Sequence, residues 1–187
     1  MKGPGLVVCG LAVALLAGCG LPAEGAAREI TPPSNAARAL ASRAPAIVDQ
    51  GPVPQTLFLV RDDRLVPVIR YVRAAPTLDG LLQDLVEGPT EAEGDIGLTS
   101  ALLGIDVVTG IDLVDGGAVV HLAAALPGTG RNDEVLAYAQ IVCTLTTRPE
   151  VSTVSFSRGG ALTGVPRADG SLSDAPLSAA DYQELLQ

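Results

Sequence analysis

Asn132-Asp133-Glu134-Val135-Leu136-Ala137-Tyr138-Ala139-Gln140-Ile141-Val142-Cys143-Thr144-Leu145-Thr146-Thr147-Arg148 is the stretch that decides how the rest of the chain is read. It reads as one helix. Asn132 is of N-cap type, and Asp133 and Glu134 place negative charge at the positive end of the helix dipole. Arg148 sits at the other end, and Pro149 cannot continue the hydrogen-bond ladder. The apolar residues from Val135 to Leu145 cover almost the whole circumference. Only Asp133, Gln140, Thr144 and Thr147 make a polar line, at the spacing of a single helical stripe. A helix this apolar must be buried, so a domain is expected to fold around it, with that line as its solvent edge.

The flanking sequence supplies the partners. Thr56 to Val60 is a short apolar run of strand type, and Arg61-Asp62-Asp63-Arg64 a charged turn. Leu65 to Arg73 is a second strand, in which Pro67 implies an edge or a bulge. Pro76-Thr77 opens a helix with leucines at 78, 81, 82 and 85, closed by Gly88-Pro89, and Thr90-Glu91-Ala92-Glu93 matches a capping box. Asp106 to Val114 and Ala118 to Leu122 flank the hairpin signal Asp115-Gly116-Gly117. In the second of these strands Ala118, Val120 and Leu122 share one face and Val119 and His121 the other. Beyond the central helix, Val151 to Ser157 and Ala161 to Val165 are strands turning at Gly159-Gly160. A last helix is capped by Ser178 and Asp181, with Leu177 and Tyr182 as a hydrophobic staple. The order predicts an α+β fold: a mixed β-sheet with two or three helices packed mainly on one face.

The first residues have a different logic. Lys2 is a short positive region, Leu6 to Leu16 an apolar one, and Leu16-Ala17-Gly18-Cys19 follows. The apolar run falls short of the about 20 residues of a membrane-spanning helix. Its ending resembles the lipobox of bacterial lipoproteins. That resemblance implies cleavage of residues 1–18, S-diacylglycerol on Cys19 and an acyl group, such as palmitate, on the new amine. Acyl chains contribute about 0.8 kcal/mol per buried methylene, so two or three anchor stably. Cys9 leaves with the signal and Cys19 is consumed, so Cys143 alone remains and no internal disulfide is available. Residues 19–54 read as the lipidated cysteine and a flexible Ala/Pro-rich tether, spanning roughly 30 to 35 Å as a random chain. Residues 55–187 read as the domain.

Composition excludes some functions. A formal charge of -9 opposes binding to a phosphate backbone, and 3% aromatic residues with no Trp leave few stacking platforms. No nucleic-acid partner is expected.

Taken in order, several segments resemble a GerMN domain: Leu57-Phe58-Leu59-Val60, Leu65 to Arg70, Leu82 to Pro89, Gly97 to Leu102, Ala139 to Thr146 and Val154-Ser155-Phe156. The resemblance covers about residues 55 to 165, and the tail, Val165 to Gly170 with Ala180-Asp181-Tyr182, is similar to that of single-domain actinobacterial members. Cys143 stands where an aromatic residue is common in the family. The resemblance implies an extracytoplasmic binding or assembly module without an accepted catalytic site. On this chain it implies a lipid-anchored protein at the outer face of the cell membrane that meets an envelope protein. Gln140, Thr144, Thr147, Arg70 and Arg73 are the candidate interaction surface.

Other chemistry is thin. His121 is the only histidine, and Ser100, Ser155 and Ser157 lack a nucleophile-elbow context, so no catalytic residue is expected and a hydrolase is the remotest class. Glu87, Glu91, Glu93 and Asp95 lack Ca²⁺-loop spacing and read as a solvated acidic face; no metal or cofactor is expected. Asp106, Asp112 and Asp115 read as hairpin residues. Pro127 to Arg131 before the helix is a weak anion-cradle pattern opposed by Asp133 and Glu134. The second function class is a small-ligand receptor for a cell-wall fragment or peptide, with Arg70, Arg73 or Gln140 converging on a pocket.

Overall fold

A computed structural model describes residues 51–126 and 130–187. The lipobox, residues 19–50 of the expected tether and most of the Pro127 to Arg131 cradle therefore lie outside the described residues; the last two tether residues, Val53 and Pro54, belong instead to the first strand. Strands β1 (Val53–Arg61) and β2 (Arg64–Val72) form an antiparallel hairpin whose two turn residues, Asp62 and Asp63, have φ of 51° and 58°. Positive φ at both positions is the turn geometry that matches strand twist, and aspartate tolerates it. Helix α1 (Leu78–Glu87) is capped by Thr77 and stopped at Gly88, where φ is 82°. Short helix α2 (Glu91–Asp95) carries the capping box read from the sequence, with Thr90 and Glu93 bonding each other's backbone N–H.

Strands β3 (Val108–Val114) and β4 (Gly117–Leu122) pair antiparallel about Asp115-Gly116, both at positive φ. Helix α3 (Arg131–Leu145) then crosses over to β5 (Thr153–Arg158), which runs parallel to β4. Parallel neighbours need such a crossover. With β6 (Ala161–Leu162) the order is β3-β4-β5-β6, a mixed sheet as expected. The chain closes with the small pair β7 (Val165–Pro166) and β8 (Leu172–Ser173) and a turn of helix at Ala179–Leu185. That last helix is 3-10 in character, and its expected Ser178–Asp181 capping box is present.

Helix α3 is the centre of the core, buried at every residue from Val135 to Leu145. On one side Tyr138 meets Phe156 of β5 edge to face, ring centroids 4.9 Å apart; Tyr182 packs into the same core. On another, Leu57 and Leu59 of β1 and Leu81, Leu82 and Leu85 of α1 close the interior. Two boundary expectations are corrected. The helix starts at Arg131 with Gly130 as N-cap and no side-chain cap bond, so Asn132 lies inside its first turn rather than capping it. It ends at Leu145, three residues short of Arg148, and the Thr146 hydroxyl donates to the Val142 carbonyl there.

Candidate functional site

The middle of the polar line of α3 is not a solvent edge, although Thr147 beyond the helix end is exposed. Gln140 and Thr144 are 0% exposed, and their polar atoms are spent on β1. Along β1 the backbone groups of Thr56, Phe58 and Val60 face away from β2. Phe58 N–H donates to Thr144 Oγ1 (3.0 Å), and Gln140 Nε2 donates to the Phe58 carbonyl (2.8 Å). Gln140 Oε1 accepts from Ala101 N–H (2.6 Å), and Val60 exchanges two bonds of 2.8 Å with Thr99. Helix side chains thus stand in for a neighbouring strand along the outer edge of β1. An open edge is a template for unwanted pairing, and buried backbone groups need partners. This corrects the expectation for Gln140 and Thr144: neither can face a partner or a pocket.

Arg70 is also withdrawn from the expected surface. It is held between the Glu93 carboxylate (2.6 and 3.0 Å) and the Gly88 carbonyl (2.9 Å), with only 11% of its side chain exposed against 14% for Glu93. Burial raises the Glu93 pKa, but the Arg70 bond, the Thr90 N–H and the guanidinium charge outweigh it and hold the carboxyl below its ordinary value. The acidic run around Glu93 is therefore in part a structural clamp between β2 and α2. Thr147 and Arg73 are exposed. Among the described residues no group of three or more His, Cys, Asp or Glu side chains is placed to hold a metal ion.

A cleft of about 300 Å³ opens at the start of β1, between Ala75-Pro76 ahead of α1 and Thr147-Arg148-Pro149 after α3. Pro54, Gln55, Thr56 and Leu81 complete it. Gln55 is 5% exposed; its Nε2 donates to Asp84, and its Oε1 has no partner. Arg148 is tied to Glu150 (2.7 and 2.9 Å) and to the Pro76 carbonyl (3.2 Å), so its charge is balanced on the spot. Neither Arg70, Arg73 nor Gln140 lines this cleft, contrary to the convergence expected for a ligand pocket. Gln55 and Arg148 escape a reading of the sequence because they lie 93 positions apart and meet only through the helix-to-strand packing.

Sequence also misses a second group. On the open face of the sheet, His121 Nε2 is 2.8 Å from Asp112 and Nδ1 is 2.6 Å from Ser157 Oγ. The hairpin register places Asp112 diagonal to His121, and the parallel register places Ser157 directly beside it. The parts of a Ser-His-Asp relay are present but poorly arranged for nucleophilic attack. Ser157 is 5% exposed, while 71% of the Asp112 side chain is in water, where a relay needs it buried. The group joins three strands. We expect His121→Ala to cost no more than about 1 kcal/mol in a denaturant titration, as an exposed polar contact would. Cys143, 1% exposed, has its thiol pushed up to about 12 by burial, so it is a neutral packing group rather than a nucleophile.

A mixed sheet, a hairpin held by helix side chains and a central apolar crossover helix define an α+β fold. The model of the family described as "Germane: Sporulation and spore germination" matches residues 47–163, and the chain belongs to that family. It is similar to the first GerMN domain of the sporulation protein GerM from Bacillus subtilis, with TM-score 0.50 and 17% identity, covering 68% of this chain and 95% of that one. The tandem GerMN domains of the same protein give 0.49 and 20%, over 69% of this chain; this chain spans 45% of that structure. A candidate lipoprotein from Clostridium perfringens gives 0.46 and 17%, over 73% and 94%. At these identities the likeness to the single GerMN domain speaks for the fold alone. A search of curated proteins gives no match.

Proposed function

We propose that this chain is an extracytoplasmic lipoprotein whose Germane-family domain is a non-catalytic interaction or assembly module at the outer face of the cell membrane. The observation that carries the reading is the sequence Leu16-Ala17-Gly18-Cys19 followed by a Pro-rich stretch and then a domain of the sporulation and germination family. A lipid on Cys19 holds the module at the membrane, and the stretch between Cys19 and β1 lets it stand off and search for an envelope partner. The buried polar groups of the central helix, Gln140 and Thr144, are spent on the domain's own backbone and not on a catalytic site, which fits this reading. Exposed Ile69, Tyr71, Arg73 and Thr147 lie around the hairpin as a surface for contact.

Crosslinking in intact cells, with identification of the captured proteins, tests the reading. Reproducible capture of one envelope protein is the expected result; capture of nothing reproducible overturns it. The small-ligand reading is kept alive by the cleft beside Gln55, whose volume is at the small end for ligand sites.

A further inference from the structure

The edge of β2 that faces away from β1 is covered only at its ends. Phe58 and Val60 bond α3 and Thr99, so the even-numbered residues of β1 turn from β2. The register then sets Leu65, Pro67, Ile69 and Tyr71 of β2 along its far edge. At one end of that edge Gln187 N–H donates to the Leu65 carbonyl (3.0 Å). At the other, Gly51 N–H donates to the Tyr71 carbonyl (3.3 Å). Between them no described residue bonds the N–H groups of Ile69 and Tyr71 or the carbonyls of Pro67 and Ile69. The side chains of Ile69 and Tyr71 are more than half exposed.

Gly51 shows where the preceding chain goes. Val53 opens β1 on the near side of β2, beside Val72, yet two residues earlier Gly51 already bonds the far-edge carbonyl of Tyr71. The chain therefore crosses the end of β2 at Gly51, so closely that a Cβ there would overlap the Val72 carbonyl and the Arg73 nitrogen. Upstream of the crossing the edge continues only toward Pro67, because β2 ends at Val72. Residues 46–50, Ala-Ile-Val-Asp-Gln, lie outside the described residues; they contain no Gly or Pro and two β-branched side chains. The family model already matches from Ile47 onward, so this stretch falls within the family's domain. We propose that residues 46–50 dock on the far edge of β2 as a third strand of the hairpin sheet, parallel to β2. Parallel spacing from the Gly51 bond makes Asp49 N–H donate to the Ile69 carbonyl and Ile47 N–H to the Pro67 carbonyl. Ile69 and Tyr71 N–H in turn donate to the carbonyls of Ile47 and Asp49, so all four open groups are used. Val48 then lies beside Ile69, and Ala46 beside Pro67, on the exposed face. On the other face Ile47 lies beside Val68, which packs partly buried against the core, and Asp49 beside Arg70. Pro45 falls opposite Leu65, whose carbonyl Gln187 already holds, so its missing N–H leaves nothing unpaired. The docked strand closes this edge to pairing with other chains and leaves residues 20–45 as the spacer.

The test is amide hydrogen exchange followed by NMR on the full chain in detergent micelles. The expected result alternates: the amides of Ile47, Asp49, Ile69 and Tyr71 exchange at least about a hundredfold slower than in a free chain, and those of Val48 and Gln50 exchange freely. Shielding by the micelle would not alternate. Ile47→Pro removes the donor to Pro67 and should cut the protection of Ile69 and Tyr71 about tenfold. Val48→Pro removes an N–H that faces away from β2 and should leave most of that protection in place. Slow exchange retained in α3 shows in each variant that the domain is folded. Free exchange at Ile69 and Tyr71 in the native chain, or equal loss in the two variants, overturns the proposal. So does protection that disappears on dilution, which assigns the edge to a second copy, and protection unchanged in Ile47→Pro, which assigns it to another segment.

Discussion

Gln140→Ala is expected to destabilise the domain by about 3–5 kcal/mol, read as a lower denaturation midpoint in a urea titration followed by circular dichroism. The side chain is fully buried and bonds the Phe58 carbonyl and the Ala101 N–H. Its removal leaves both backbone groups inside the protein without partners, each costing about 1–3 kcal/mol, and adds a cavity beneath β1. Thr144→Val, which keeps the volume and orphans only the Phe58 N–H, should cost about 1–2 kcal/mol. Thr147→Ala lies on the same stripe but in solvent and should cost less than about 1 kcal/mol. Equal effects at positions 140 and 147 would return the stripe to the surface and remove the explanation given for the edge of β1.

The second large effect is at Arg70. Arg70→Ala should cost about 3–5 kcal/mol near neutral pH, because it strands a largely buried Glu93 carboxylate. The pair also fixes the sign of a pH dependence. Glu93 has a lower pKa folded than unfolded, so its contribution is fully present above the unfolded value of about 4.3 and is lost as pH falls through the folded value beneath it. Native protein should therefore lose stability on the acid side below about pH 4.3, and this component should be missing from Arg70→Ala, whose Glu93 keeps the burial without the cation. A native protein with the same acid limb as Arg70→Ala would show that the bridge contributes nothing to folding.

What the sequence discloses about this fold is what local chemistry controls. Thr90 and Glu93, Asp115-Gly116, Gly88 and Ser178 with Asp181 act within a few residues of themselves, and each does in the structure what its residue type implies. Burial of α3 is equally plain from a circumference without a polar half. The misreadings share one cause. A polar line on an apolar helix has two physical fates, solvent or the unpaired edge of a strand, and periodicity cannot tell them apart. Gln140 and Thr144 took the second because α3 lies along β1, 82 to 86 positions away in the chain. The acidic surplus offers Arg70 several partners in the sequence, and the one it takes is hidden for the same reason, since Glu93 reaches it only once α2 folds back on the hairpin. The cleft beside Gln55 and the Asp112, His121 and Ser157 group depend on strand order, which has no short-range signal.

The proposed attachment at Cys19 is the step on which the membrane-side reading of this domain rests, and one measurement tests it. Cells expressing native chain or Cys19→Ser are fed a clickable palmitate analogue, then fractionated, and label and protein are read in the membrane and soluble fractions. Native protein should be labelled and sediment with membranes, while Cys19→Ser carries no label and leaves the membrane fraction. An unlabelled native chain, or a Cys19→Ser chain that keeps its label and its place at the membrane, would contradict the lipoprotein assignment.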